Sequence, residues 1–454
     1  MADLDLIVRG GTVITPAELL RSDIGIAEGR IVALAPEIAQ PGREVIDATG
    51  WHVFPGVIDA HVHFNEPGRT HWEGFRTGSA ALAAGGATMF FDMPLNASPP
   101  TLDAASFDAK LQAAQAGSWL DFALWGGLAP QNLDRLEELR ERGVIGFKAF
   151  MANSGIEDFP CVDDTALRRG MQRAASLQCI VAVHAESEAM TRKLAQERLA
   201  QELISIRDYL DSRPIAAELD AIRRAIQLAG ETTCALHIVH VSCGEGVALV
   251  AEARDNGVDV TCETCPHYLF LTERDMERLG AVAKCAPPLR TAAAREELWR
   301  HLLAGHVTTI GSDHSPSPPE MKQPEPGSRA NFFKLWGGIA GGQQTLELLL
   351  TTFPPPALPL LSRLTSGNVA RRFRLPPRKG AIVVGADADL ALVDLQRETL
   401  IRREDLLDRH RLSPYVGRTV KARVVRTVLR GRTVAVAGRI VSQPAGRLVK
   451  PSGT

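Results

Sequence analysis

PGVIDAHVHFNEPGR, residues 55–69, opens on a Pro-Gly turn, runs through a short apolar stretch and ends in two histidines separated by one residue. A strand alternates its side chains between two faces, so His61 and His63 project from the same side and can reach one point. Downstream, from about residue 55 to 372, apolar runs of five to eight residues alternate with longer amphipathic stretches, the βα alternation of a parallel sheet. Eight such runs can be placed, at 57–63, 88–93, 120–125, 145–150, 179–184, 236–241, 258–263 and 307–313. Helices are expected between them at 133–142, 164–177, 217–228 and 245–256, each with its charges on one side. Eight strand and helix units in this span point to an α/β fold, a (β/α)8 barrel.

Upstream, the stretches 5–14, 23–34 and 43–56 are short, β-branched and broken by Gly, Glu-Gly and Pro-Gly turns, which predicts antiparallel hairpins. Comparable stretches return at 385–395, 420–429, 433–436 and 438–441. The two ends are therefore expected to build one small β-sandwich domain (1–54 and 380–454) around a barrel hydrolase domain (55–379). Proline-rich stretches at 315–326 and 353–359 read as an active-site loop after the eighth strand and as a helix connection. There is no internal repeat beyond the barrel's own alternation.

A chain of 454 residues suits one large barrel with a smaller partner. Lys and Arg total 51 against 53 Asp and Glu, and a net charge of −2 argues against nucleic acid and for a small-molecule substrate. Seven scattered cysteines form no disulfide framework and suit a reducing, cytoplasmic compartment. The first thirty residues lack the basic, apolar and cleavage regions of a signal peptide, and no apolar run is long enough to span a bilayer.

Chemistry-bearing residues gather at the C-terminal ends of the expected strands, the face on which barrel enzymes assemble their catalytic groups. His61 and His63 end the first strand, Lys148 lies in the fourth, His184 ends the fifth, His240 the sixth and Asp313 the eighth. A lone His-x-His pair is most often partly solvated, but four histidines and an aspartate at strand ends suit zinc-like divalent ions. Lys148 sits in the apolar run 144–151, where a buried ammonium is costly. It is either salt-bridged or carboxylated by carbon dioxide, in which form it bridges two metals as a carboxylate does.

The run DAHVHFNEPGR at 59–69, followed in order by GFKAFMA, VHAE, HIVHVS, ETCPHYL, KCAPPLR and GSDHSP, resembles the cyclic amidohydrolases, which comprise dihydroorotases, hydantoinases, dihydropyrimidinases and allantoinases. The resemblance covers essentially the whole chain. It implies a binuclear centre of two divalent ions, zinc by preference: His61, His63 and Asp313 hold one, His184 and His240 the other, and N-carboxylated Lys148 bridges them. Such a pair lowers the pKa of a bridging water and polarises the scissile carbonyl, with Asp313 as the catalytic base that passes the proton to the leaving nitrogen. The resemblance also implies substrate contacts at Asn153, Ala286 and Gly337, and a homotetramer.

Dihydroorotases carry an arginine two positions after the second histidine to hold a substrate carboxylate; here Asn65 stands there, with Arg69 or Arg290 as conceivable substitutes. HVHFNEPGRT with Trp72, then FDMPLN and GFKAFM, resembles the allantoinase branch, which implies hydrolysis of allantoin to allantoate in purine (ureide) catabolism. The alternatives are a hydantoinase or dihydropyrimidinase acting on other cyclic imides, and a catalytically silent scaffold relative. Hydantoinases often have a tyrosine five residues beyond the lysine; Asn153 in that place is either an amide donor to the substrate or a solvated loop residue. Ala286 replaces a serine common before the double proline.

Cys262 and Cys265, with His267 nearby, do not make a zinc or redox site, because no second pair accompanies them. His314 should point away from Asp313's partners, in a substrate-loop role or in plain hydrogen bonding. Glu186 either orients a ligand or starts a helix. His52, His71, His237, His301, His306 and His410 read as surface or packing residues.

Overall fold

The apolar run after Pro55 forms a buried strand, Val57–Val62, that begins a closed parallel barrel in the computed structural model, which describes residues 4–324 and 330–452. Its neighbours follow in chain order: Ala87–Asp92, then Asp121–Leu124 continued by Gly126–Gly127, then Phe147–Phe150, Val181–His184, Leu236–Ile238, Val260–Thr264 and Thr309–Ile310. A parallel bridge from Val62 to His314 joins the eighth strand to the first and closes the ring. The third strand breaks at Trp125, whose indole turns into the barrel and donates to the Ala60 carbonyl at 3.1 Å.

Helices return along the outside. Asp164–Ser176, Ile215–Thr232 and Gly244–Asp255 lie where apolar periodicity predicts them. The helix expected at 133–142 is shorter, Leu136–Arg142. Asn132 starts it late: its side chain donates to the Leu102 and Gly127 carbonyls and accepts from Ala129, holding the preceding turn. The molecule is a (β/α)8 barrel with a sheet domain at its termini.

Strands from both chain ends form one nine-stranded sheet in which His52–Pro55 pairs antiparallel with Leu390–Asp394. Its core is the aliphatic cluster of Leu6, Val8, Ile24, Ile26, Ile382, Leu390 and Leu392. Two expectations are corrected. The third opening stretch makes no hairpin; Gly42–Asp47 and His52–Pro55 both run parallel to Leu4–Ile14, one on each half of it. That strand changes partner at Gly10, φ +70°, where an added Cβ would lie 2.8 Å from Thr49 Oγ1. Residues 385–389 are a turn and bridge segment, because Asp387 and Asp389 bend in to Lys379 at 3.0 and 2.7 Å.

Of the proline-rich stretch at 315–326, residues 325 and 326 lie outside the described residues; the remainder is irregular with a short 3-10 turn, Pro319–Lys322. Among the described residues, no helix is long and apolar enough to cross a membrane.

Candidate metal centre and active-site cavity

Four strands deliver five polar side chains to one end of the barrel, and the geometry divides them into two groups that meet. In the first, His61 Nε2 and His63 Nε2 each lie 3.4 Å from Asp313 Oδ1. Among the described residues, these three form a set whose ligand atoms all fall within 4.8 Å of one another. In the second, His184 Nδ1 faces His240 Nε2 at 3.1 Å. The two groups are contiguous, with the His61 and His240 rings 5.4 Å apart.

The orientation of each imidazole has a local cause. Glu263 Oε1 lies 2.8 Å from His61 Nδ1, and because a carboxylate only accepts, a ring hydrogen is held there and Nε2 is the atom turned toward Asp313. Glu186 does the same for His184, meeting Nε2 at 2.8 Å and leaving Nδ1 toward His240. Arg213 is ion-paired to the same Glu186 oxygen, and the neighbouring Arg213 and His184 hold this carboxyl at about 2 although burial pushes it up. The Asn96 amide stands 3.4 Å from His63 Nδ1. Burial holds His63, His184 and His240 below the usual imidazole range, so their rings are neutral, the form that binds a cation. Burial also acts upward on Asp313, but His61 and His63 beside it keep its carboxyl well below the usual range.

Backbone strain marks the same place. His240 and Asp313 adopt φ of +41° and +46°, a left-handed conformation that costs a non-glycine residue roughly 1–3 kcal/mol and persists where the surroundings enforce it. Asp59 supplies part of that enforcement. It accepts from the Ser312 amide at 2.9 Å and from the His61 amide at 3.2 Å, tying the first strand to the eighth.

Lys148 is fully buried, its Nζ has no hydrogen-bond partner among the described residues, and it lies 4.5 Å above the Phe150 ring. Burial draws its amine down to about 7 against the pull of Asp313 and Glu263. No ion pair to Lys148 Nζ forms among the described residues. A partnerless buried amine that titrates near neutrality is nucleophilic, the condition for reaction with carbon dioxide. His240 Nδ1 is likewise buried without a partner among the described residues. Neutral imidazoles, a charged carboxylate and these orphaned nitrogens fit a site for divalent cations.

Above the cluster opens a cavity of ≈540 Å³ whose floor is His61, His63, His184, His240 and Asp313. Asn153, Ala286 and Gly337 all line its walls. Asn153 is an exposed loop residue whose Oδ1 accepts from Gly155 N at 2.9 Å, leaving its amide hydrogens without a partner among the described residues. Arg69 and Arg290 are engaged elsewhere. Arg69 bonds the Asn96 and Ala97 carbonyls and Arg290 is paired with Glu218 at 2.9 Å, so neither supplies the missing carboxylate clamp.

His314 turns away from Asp313's partners, its Nδ1 accepting from the Gly341 and Gly342 amides, each at 3.3 Å. Cys262 and Cys265 are free thiols in the core; burial pushes Cys262 up to about 12 and Cys265 well above its usual value. His237 is packed, bonding Thr261 Oγ1 at 2.8 Å. Sequence reasoning passed over Glu263, Asp59 and Asn96. The one sequence signal for Glu263 was a carboxylate near the C-terminal end of a barrel strand, Val260–Thr264, which says nothing of its partner.

Comparison with known proteins bears on this site. Residues 52–434 match the model of the Amidohydrolase family. The chain is 56% identical to an allantoinase of Rubrobacter xylanophilus over 99% of this chain and 98% of that one. It is 52% identical to an allantoinase of Deinococcus radiodurans, over 99% of each. Among solved structures, an L-hydantoinase (dihydropyrimidinase) from Arthrobacter aurescens superposes with a TM-score of 0.95 at 34% identity, covering 98% of this chain and 100% of the other. A dihydropyrimidinase from Brevibacillus agri superposes with a TM-score of 0.90 at 30% identity, covering 98% of each.

Proposed function

The chain belongs to the amidohydrolase family, and on that premise we propose that it hydrolyses the cyclic amide bond of allantoin to give allantoate. The observation that carries this reading is the likeness to allantoinases along nearly the whole chain, over a barrel end that gathers four imidazoles and a carboxylate. Water adds across the ring amide: its oxygen joins the carbonyl carbon, the C–N bond breaks, the carbonyl becomes a carboxylate and the ring nitrogen leaves as a ureido N–H.

His61, His63 and Asp313 would hold one divalent ion and His184 and His240 a second, with Lys148 joining them as its carbamate. Such ions, zinc by preference, would acidify a water molecule and polarise the scissile carbonyl. Asp313 takes the proton of the attacking water and delivers it to the departing ring nitrogen. Its side chain is 13% exposed where His61 is 1% exposed, which puts the carboxylate on the cavity side of the cluster. The Asn153 amide hydrogens and the backbone of Gly337, which also lacks partners among the described residues, are placed to bond the ring or its ureido arm. Ala286 adds an apolar wall.

The barrel unit is assigned to 55–379 and the sheet unit to 1–54 with 380–454. Seven free thiols support a reducing, cytoplasmic setting, and a homotetramer is expected from the family resemblance. The test is kcat/KM for allantoin, hydantoin and dihydrouracil with one preparation. Preference for allantoin supports the proposal, and preference for dihydrouracil replaces it with a dihydropyrimidinase.

A further inference from the structure

One wall of the cavity is the segment 332–338, which presents Phe333, Leu335, Trp336 and Gly337 to the space above the histidine cluster. Apart from the short 3-10 turn Phe332–Lys334 it has no regular secondary structure, so its carbonyls have no ladder partners. Two buried lysines supply them. Lys284 Nζ donates to the carbonyls of Phe332 at 2.7 Å, Phe333 at 3.4 Å and Leu335 at 2.5 Å. Lys322 Nζ donates to Gly338 at 2.7 Å, Trp336 at 3.3 Å and, beneath the wall, Ala281 at 3.1 Å.

Each nitrogen thus meets three acceptors, and only an ammonium carries three N–H donors. Keeping both charged has a cost. Burial pulls each down to about 7, and Lys284 also feels Arg213 and Lys322 nearby. A methionine would fill similar volume without that penalty, so the role of the charges lies in the carbonyls they hold. The pattern of those carbonyls is informative: Lys322 grips Trp336 and Gly338, the residues on either side of Gly337, whose own N–H and C=O have no partner among the described residues. Gly338 permits the turn, at φ +124°, where any Cβ would strike the Ser315 carbonyl at 2.3 Å.

We propose that Lys284 and Lys322 are positioning residues for substrate recognition, fastening the 332–338 wall so that the Gly337 backbone is presented to the substrate ring. This rests on the hydrolase reading for its kinetic consequence but not for its structural one. The segment should loosen when either lysine loses its donors, whatever the substrate.

The experiment compares the metal-loaded wild type with Lys322→Met and Lys284→Met by hydrogen exchange of 332–338 and by steady-state kinetics on allantoin. The expected result is faster exchange confined to that segment, KM raised about tenfold, and kcat and bound metal within about threefold of wild type, the signature of lost substrate binding. Unchanged exchange overturns the proposal, as does a fall in kcat that tracks lost metal. Where exchange rises and the wild type is inactive on allantoin, the wall assignment stands and the substrate reading falls. If a Met variant does not fold, Lys322→Gln, which keeps two donors, must show the same pattern at smaller amplitude, and wild-type exchange there overturns the proposal.

Discussion

Glu263 Oε1 meets His61 Nδ1 at 2.8 Å, and both side chains are 1% exposed. Buried this deeply, the carboxylate fixes which ring nitrogen carries the hydrogen and so which one faces Asp313. Glu263→Gln keeps the shape but removes the charge and permits a donor to face the ring. Metal affinity should fall by about 10- to 100-fold, the usual loss when such a partner is removed. Titration with zinc under competition from a chelator reads this directly; wild-type affinity in the variant would mean that the contact only packs.

Arg213 and Glu186 make a comparable chain behind His184. Arg213→Met leaves the buried Glu186 charge with His184 alone, so it should destabilise the protein by about 3 kcal/mol, as breaking a buried pair does. The double variant Arg213→Met/Glu186→Gln should recover much of that loss, because the uncompensated charge is gone. Denaturant midpoints at constant slope measure both, and a double variant less stable than the single would contradict the assignment.

Lys379 bridges the two structural units, its Nζ 2.8 Å from Asp121 at the start of the third barrel strand and 2.7 Å from Asp389 in the terminal sheet. Lys379→Met leaves the Asp389 charge buried without its ammonium partner, with Arg430 still paired to Asp121. A loss of about 3–5 kcal/mol is expected in chemical unfolding. A loss below about 1 kcal/mol would place the cluster with solvent-screened surface pairs.

Glu73 supplies a pH signature. Fully buried and close to Asp408, its carboxyl is pushed up to about 8 by burial first and by that neighbour second. A group whose folded pKa exceeds its unfolded value contributes stability that is complete below about 4.5 and is lost as pH rises through about 8. Glu73→Gln cannot ionise, so it should match wild type at the acid end of that window and exceed it in stability at the alkaline end, by roughly 4–5 kcal/mol. Thermal unfolding of both proteins across the window checks the sign, and a variant less stable at the alkaline end would reverse it.

How much of this was legible in the sequence varied with the range of the interaction. The histidines, Lys148 and Asp313 were readable because each ends or lies in an apolar run, and closing the barrel brings run ends together. Element ends were less readable. The eighth strand was expected at 307–313 and spans only Thr309–Ile310, because Gly311 passes so close to Glu263 that a Cβ there would lie 2.5 Å from the carboxylate. The parallel pairing of 43–56 was hidden since alternation fixes faces and not partners. Glu263 itself was illegible in its role, which depends on a partner 202 residues away.

Lys148, buried without a partner among the described residues, is the proposed bridge of a two-metal hydrolytic centre. Its most direct measurement is allantoate formation from allantoin by protein loaded with zinc and bicarbonate, run beside Lys148→Ala. Turnover by the wild type is expected, with a loss of about 10³-fold or more and reduced bound zinc in the variant. Equal turnover by the variant, or none by fully metallated wild type, would contradict it.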